Sequence, residues 1–251
     1  MNRHTILASL ACLSGLGTVH AGTISLSAPF TDDASTGISS ANTYTHAISG
    51  GSAQTVNGVD FELLNPTTIP ENLAWDAGGL ALSVIAGPNN GDWVPADGGV
   101  TGPGIQSLLG GFTYSSNGAA NPATQTFSLL GLTVGQQYDT RLYVRLWDTD
   151  GSGRPLDITF THGAESDATG TVPEDRPSQI LGGGSDQQAY YVSYAFTAQA
   201  TQLDIAAQVA AVGGANSGSL HMYALSNQVI PEPSSLGLLG FGLLGLLRRR
   251  R

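Results

Sequence analysis

The sequence predicts an all-β fold, a single antiparallel β-sandwich or jelly-roll domain. Short runs rich in valine, isoleucine, threonine and aromatic residues recur along the chain, separated by clusters of glycine, asparagine, aspartate and proline. One run alternates strictly, with Leu142, Val144 and Leu146 on one face and Arg141, Tyr143, Arg145 and Trp147 on the other. Another places Tyr190, Val192, Tyr194 and Phe196 on one face. No sustained helical period accompanies these runs, so strands are expected to form nearly all of the regular structure.

The strands follow from these runs in chain order. The nine expected strands are residues 23–27, 54–64, 80–86, 124–130, 140–147, 156–161, 190–196, 201–207 and 219–225. Glycine-rich stretches at 87–104 and 163–185 are expected to be long loops, because glycine weakens strand interiors and favours turns. Residues 104–109 are the one helical candidate, and so short a segment is expected to contribute little.

One connection carries a recognisable pattern. After the strand ending at Leu130, the order Gly131-Leu132-Thr133, then Gly135 and Tyr138, predicts a tight turn at Gly135 and entry to the next strand at Tyr138. This hairpin resembles an element of galactose-binding-type jelly-roll modules in secreted bacterial proteins. The resemblance implies the fold and leaves the ligand open.

The N-terminus has the pattern of a secretory signal peptide. Arg3 and His4 precede an apolar stretch over residues 6–19, and Val19 and Ala21 are small residues at the positions that signal peptidase reads. We expect residues 1–21 to be removed by cleavage after Ala21. The alternative is a buried first helix. Because Cys12 lies in this segment, the mature chain has no cysteine, which excludes disulfides, thiol catalysis and thiolate metal sites.

The C-terminus combines three features. Pro231-Glu232-Pro233 precedes an apolar run of 12 residues, 236–247, and arginines occupy 248–251. The prolines disfavour helix and strand, which leaves an extended segment that a processing enzyme can hold. The apolar run is shorter than the about 20 residues that a spanning helix needs, and arginines beside such a run stay in the cytoplasm. The pattern indicates a weak, temporary anchor.

This three-part tail resembles the PEP-CTERM sorting signal of bacterial exosortase substrates. The resemblance implies that residues 229–251 are a sorting signal with a short transmembrane helix, transiently inserted in the inner membrane and cut near the Pro-Glu-Pro motif by an exosortase-like enzyme. It also implies release or display at the cell surface, in association with exopolysaccharide. The domain between the two signals is expected over residues 22–228.

The charge of the chain limits its partners. It contains no lysine, and residues 22–230 hold four arginines against eighteen acidic residues, a formal net charge of −14. Such an acidic protein repels phosphate, so nucleic acid and anionic lipid surfaces are not expected as partners. Neutral sugars and divalent cations remain compatible with it.

A candidate calcium site follows the strand ending at Trp147. Asp148, Asp150 and Ser152 place oxygen ligands at alternate positions, and Gly151 allows the bend, as at the start of a calcium-binding loop. The loop is incomplete, because Thr159 occupies the position of the bidentate glutamate. A plain hairpin turn also explains the same residues. Two alternatives therefore remain, that the protein has no cofactor or that it binds calcium.

A candidate carbohydrate site lies in the segment that contains Trp93. Its indole ring would stack on a sugar, while Asn89, Asn90 and Asp92 would bond the hydroxyls. The alternative is that tryptophans pack into the core, which is the favoured interpretation for Trp75 and Trp147.

Catalytic motifs are lacking in the sequence. His46, His162 and His221 have no partner at metal-ligand spacing, and there is no nucleophile elbow. We therefore expect an exported, non-enzymatic surface or matrix protein. A carbohydrate-binding module is the alternative. A polysaccharide hydrolase or lyase is the less favoured third hypothesis, because two carboxylates suffice for that chemistry.

Overall fold

A computed structural model describes residues 22–78, 82–85, 100–115, 124–145, 155–173, 189–209 and 220–231. Its strands are β1 Thr23–Leu26, β2 Tyr44–Ser49, β3 Gln54–Val56, β4 Val59–Leu63, β5 Leu73–Asp76, β6 Leu82–Ile85, β7 Phe112–Ser115, β8 Thr124–Leu130, β9 Gln137–Arg145, β10 Pro155–His162, β11 Glu165–Pro173, β12 Ala189–Thr197, β13 Gln202–Val209, β14 His221–Met222 and β15 Ala224–Val229. A 3₁₀ helix covers Ala34–Thr36, and helix α1 covers Pro103–Leu109.

The strands form three sheets. The front sheet has seven strands in the order β1-β12-β9-β15-β2-β4-β3, the back sheet has five in the order β11-β10-β13-β8-β5, and the side sheet is β14-β7-β6. Neighbouring strands are antiparallel except β2 and β4, which pair in parallel at Ile48 with Glu62 and Ser49 with Leu63. The predicted all-β class with antiparallel sheets is confirmed, with this one parallel pair added.

The main core fills the space between the front and back sheets. As the alternation predicts, Tyr190, Val192, Tyr194 and Phe196 of β12 all belong to it. Phe160 of β10 stacks on the Tyr194 ring, with centroids 4.5 Å apart. The two sheets are therefore joined by aromatic packing as well as by aliphatic side chains.

A second core covers the other face of the front sheet. Helix α1 contributes Ile105, Leu108 and Leu109, which are fully buried with Tyr143 of β9. The Asp33 carboxylate accepts hydrogen bonds from the first-turn amides of Gly104 at 3.1 Å and Ile105 at 2.6 Å. A distant residue thus satisfies amide groups that a helix start leaves unpaired. The expectation that this segment contributes little is wrong, because the second core buries its apolar side.

Two segments predicted as single strands are each divided into two strands in the structure. Residues 54–64 form β3 and β4 around Asn57 and Gly58, whose φ angles of 49° and 77° suit a two-residue hairpin turn. Residues 219–225 divide at Tyr223 between β14 and β15, which lie in different sheets. The expected loop 163–185 is wrong over Glu165–Pro173, because β11 pairs there with β10.

The connection at 131–138 crosses between sheets. It joins β8 of the back sheet to β9 of the front sheet, so the expected hairpin is wrong, although the strand end and the turn are confirmed. Gly131 and Gly135 have φ angles of 80° and 85°. The Tyr138 hydroxyl accepts a hydrogen bond from the Thr133 amide at 2.9 Å and closes the corner.

Candidate functional site

The C-terminal strand leads directly to the Pro-Glu-Pro motif. β15 lies between β9 and β2, inside the front sheet. Beyond its last residue, the Ile230 amide donates to the Gln137 carbonyl at 2.9 Å, and the Gln136 side-chain amide donates to the Ile230 carbonyl at 3.1 Å. Pro231 follows and is exposed. Because proline has no amide hydrogen, the hydrogen-bond ladder of β15 cannot continue through Pro231.

A groove opens beside this exit. β2 and β4 pair at two positions near their C-terminal ends and diverge toward their N-terminal ends. The groove has a volume of about 300 Å³ and is lined by Ser40, Asn42, Tyr44, Thr45, His46, Ala47, Gly58, Val59, Asp60 and Glu62. Asp60 and Glu62 are exposed on its rim. One aromatic ring, amides, hydroxyls and carboxylates around an open groove suit a polar, neutral ligand.

A polar cluster lies on the second-core face of the front sheet. The Asp139 carboxylate accepts hydrogen bonds from Ser193 Oγ at 2.5 Å, Arg141 Nε at 2.8 Å and Gln228 Nε2 at 3.0 Å. The Arg141 guanidinium also stacks over the Tyr191 ring at 4.6 Å. Burial is the largest single influence and opposes its charge, but the Asp139 carboxylate together with Tyr143 and Tyr191 outweighs burial and raises the pKa of Arg141. The cluster ties β12, β9 and β15 together.

A second polar chain joins the two sheets of the sandwich. His162 Nδ1 accepts the Gln199 amide at 3.2 Å, so the neutral ring carries its proton on Nε2. That nitrogen lies 2.9 Å from the Tyr194 hydroxyl, which donates to Asp167 Oδ2 at 2.6 Å. Burial and the bond to Asp167 raise the pKa of Tyr194. The tyrosine therefore stays neutral and acts as a fixed donor.

The stability of the protein is expected to fall in mild acid. Burial lowers the pKa of His162 below its ordinary value of 6.5. Protonation would also put a hydrogen on Nδ1 against the Gln199 amide. Because the folded-state pKa lies below the unfolded one, stability is full above pH 6.5 and declines as pH falls through that value. The slope is at most about 1.4 kcal/mol per pH unit for each such histidine.

Denaturant unfolding measured from pH 7.5 to pH 5 checks this expectation. Burial also lowers the pKa of His46, so both histidines act in the same direction. His162→Gln should flatten part of the profile, and His46→Gln a further part. A profile as steep in the double variant as in the native protein would contradict the assignment.

Comparison with known proteins identifies the tail. Residues 229–251 match the family described as the PEP-CTERM protein-sorting motif. The chain carries a PEP-CTERM sorting signal. This signal indicates export, sorting at the membrane toward the cell surface and processing by an exosortase-type enzyme. No curated protein matches the chain.

The fold of this PEP-CTERM protein has counterparts among solved structures. It is similar to the plant receptor-like kinase FER, with a TM-score of 0.51 at 11% identity over 76% of this chain and 50% of that chain. The ANX2 ectodomain from Arabidopsis thaliana gives a TM-score of 0.50 at 14% identity over 76% of this chain and 50% of that chain. The chain thus spans about half the length of these structures. At such identities the likeness shows the fold alone.

Most predicted site residues of the PEP-CTERM protein lie outside the described part of the chain. These are Ala21, Asn89, Asn90, Asp92, Trp93, Asp148, Asp150, Ser152, Glu232 and Pro233. The calcium and carbohydrate assignments at these positions stay predictions. Within the described ranges, no three His, Cys, Asp or Glu side chains converge as a metal site would require. Among the described helices, none has the length and apolar character needed to span a bilayer.

Other polar residues were not anticipated from the sequence. Trp75 has the packing role that was expected of it. Its ring stacks on the Phe127 ring, with centroids 5.8 Å apart, and its indole nitrogen donates to Gln125 Oε1 at 3.1 Å. The Asp139 cluster and the His162 chain were missed. Their members lie on different strands, and no spacing in the sequence connects them.

Proposed function

We propose that this PEP-CTERM protein is an exported β-sandwich that an exosortase-type enzyme releases from its tail for a non-enzymatic role. Its place is the cell surface or the exopolysaccharide matrix. The body is assigned to residues 22–228, between a signal peptide at 1–21 and the sorting signal at 229–251. Signal peptidase and the exosortase-type enzyme are its processing partners.

The observation that carries this proposal is the position of the motif relative to the fold. The described strands end at Val229, and among the described residues Ile230 makes the last hydrogen bonds to the sheet. Both hydrophobic cores are built from residues before Pro231. A cut at or after Pro231 therefore removes none of the core side chains found among the described residues, and the packing between them is kept in the released body.

The proposal of a non-enzymatic body is supported by titratable side chains that form hydrogen bonds within the fold. His46 Nε2 donates to the Asn72 carbonyl at 2.9 Å, and His162 bridges Gln199 and Tyr194. Asp139 accepts three hydrogen bonds within its cluster. Groups engaged in this way hold the fold together and are unsuited to proton transfer with a substrate.

Intact-mass measurement of the protein from the cell surface and medium tests the processing. The native protein is expected to lack residues 1–21 and the residues beyond the Pro-Glu-Pro region. Replacing Pro231, Glu232 and Pro233 with alanine should block the C-terminal cut and leave the protein in the membrane fraction. Ser234→Ala with Ser235→Ala is the matched control and should be processed normally. A native protein that retains residues 236–251 would overturn the proposal.

Carbohydrate binding is the second candidate function, favoured by the groove between β2 and β4. Tyr44 and Asn42 line it together with the exposed Asp60. Aromatic stacking combined with amide and carboxylate bonds is how proteins hold neutral sugars. In a polysaccharide pull-down, Tyr44→Ala should weaken binding if the groove holds the sugar. Trp93→Ala should weaken it if the segment around Trp93 holds the sugar. Release of reducing ends from any polymer would instead support the hydrolase or lyase hypothesis.

A further inference from the structure

Gly22, the residue after the expected cleavage site, is held at the open edge of the sandwich. Its backbone nitrogen lies 3.0 Å from Asp167 Oδ2, a contact that spans 145 positions of sequence. Gly22 immediately precedes β1, the edge strand of the front sheet, and Asp167 belongs to β11, the edge strand of the back sheet. This contact therefore closes the sandwich on one side.

The carboxylate that receives Gly22 is itself fixed in place. The fully buried Tyr194 donates to the same oxygen at 2.6 Å. His162 lies 2.9 Å from that hydroxyl and accepts the Gln199 amide. The chain of bonds orients Asp167 toward Gly22, as a preformed acceptor does for a ligand.

The space around position 22 excludes a side chain. A Cβ atom there would lie 2.1 Å from Tyr194 Cε2. The tyrosine ring cannot yield, because it stacks on Phe160 at 4.5 Å and on Phe196 at 5.0 Å. A glycine is thus required where the mature chain is expected to begin.

We propose that cleavage of the Ala21–Gly22 bond creates an α-ammonium group that forms an ion pair with Asp167 and locks β1 onto the sandwich. The inference rests on the proposed export and cleavage. Hydrolysis adds water across that bond, so Ala21 leaves as a carboxylate and Gly22 gains a protonated amine. The amide donor at Gly22 becomes a charged group with three donors, and charge-assisted hydrogen bonds are the stronger kind.

The groups around the new amine favour its charged form. Asp167 and Glu165 come from β11, Tyr194 from β12 and His162 from β10, and both carboxylates act electrostatically on Tyr194. An ammonium stabilised in this way has a raised folded-state pKa, compared with about 7.7–8.0 for an ordinary α-amine. Its contribution to stability is full below that ordinary value and is lost as pH rises through the folded-state value.

The composition of the chain supplies a selective test. Because the sequence contains no lysine, the α-amine is the one primary amine of the mature protein. An acetylating ester therefore reports on this group alone. We would recover mature protein from the medium, establish its first residue by mass, and compare acetylation rates in native buffer and in guanidinium. Protection of at least about tenfold is expected, since each unit of raised pKa lowers the reactive amine tenfold.

Asp167→Asn is expected to abolish most of this protection and to lower Tm. Glu165→Gln is the matched comparison and should reduce the protection much less, because it removes a charge from the same strand without removing the acceptor of Gly22. If Asp167→Asn fails to fold, acetylated and unmodified native protein are compared instead, and the acetylated form should melt at lower temperature below pH 7. That Tm difference should shrink as pH is raised through the pKa of the amine.

The outcomes separate the inference from the proposed function. Mature protein that begins at Gly22 but reacts equally fast when native and unfolded would overturn the ion pair and leave export intact. Mature protein that begins at another residue would overturn the cleavage assignment, and the ion pair with it. Slow native acetylation that persists in Asp167→Asn would assign the protection to a different group and also overturn the inference.

Discussion

Replacing Phe160 with alanine is expected to lower the free energy of unfolding by about 3–5 kcal/mol. Phe160 is fully buried between the front and back sheets. Its ring stacks nearly parallel on Tyr194, at an interplanar angle of 12°. Truncation leaves a cavity that the paired strands on either side, β11 and β13, cannot close. It also removes a ring that holds Tyr194 in position beneath Asp167.

Chemical denaturation of the secreted protein measures this effect. Val134→Ala is the control, because Val134 is 59% exposed in the corner between β8 and β9. Its effect should stay within about 0.5 kcal/mol. Equal losses in the two variants would contradict the assignment of the main core to the space between the two sheets.

Replacing Asp139 with alanine is expected to cost about 2–4 kcal/mol, the second large effect. Asp139 is 8% exposed and receives hydrogen bonds from three side chains on three strands. Its removal leaves the Arg141 side chain, which is 12% exposed, without its carboxylate partner. It also leaves Gln228 without an acceptor for its amide, close to the point where the chain exits toward Pro231.

Thermal and denaturant unfolding of Asp139→Ala would be compared with Asp60→Ala. Asp60 is exposed and accepts a bond from Thr55 Oγ1 at 2.6 Å, so its loss should cost under about 1 kcal/mol. Combining Asp139→Ala with Arg141→Met tests the mechanism further. The double variant should be less destabilised than the sum of the single variants, because the second change removes the unpaired charge. Simple additivity would argue against a coupled cluster.

The strands that the sequence predicts well are those that pack on one core. β8 appears at its expected bounds, because Gln125, Phe127 and Leu129 alternate with residues of intermediate exposure or, at Thr124, an exposed one. β12 likewise places Tyr190, Val192, Tyr194 and Phe196 on the face toward the main core. Such strands display a period of two that needs no knowledge of their neighbours. β9 also keeps the predicted alternation, with Leu142 and Val144 in the main core and Tyr143 on the opposite face, where the second core covers it.

Strands that were not predicted form because neighbouring strands pair with them. β2 contains Thr45, His46 and Ser49, which are polar enough to suggest a loop, yet β15 and β4 pair with its two edges. The burial of His46 and Ser49 is possible because pairing and side-chain bonds satisfy the polar groups, as with His46 and the Asn72 carbonyl. The turn at Asn57 and Gly58 is different, since its dipeptide is a strong hairpin signal that sequence reasoning can use.

The sequence by itself determined the all-β class and the sorting of this protein, because strand periodicity and a sorting tail are local patterns that keep their meaning in any context. Tertiary structure alone decided how the sheets stack and which polar groups meet. Gly22 and Asp167 are 145 positions apart, and Asp139 and Gln228 are 89 apart. Contacts at such distances arise from strand order and crossovers, which depend on the packing of the whole chain.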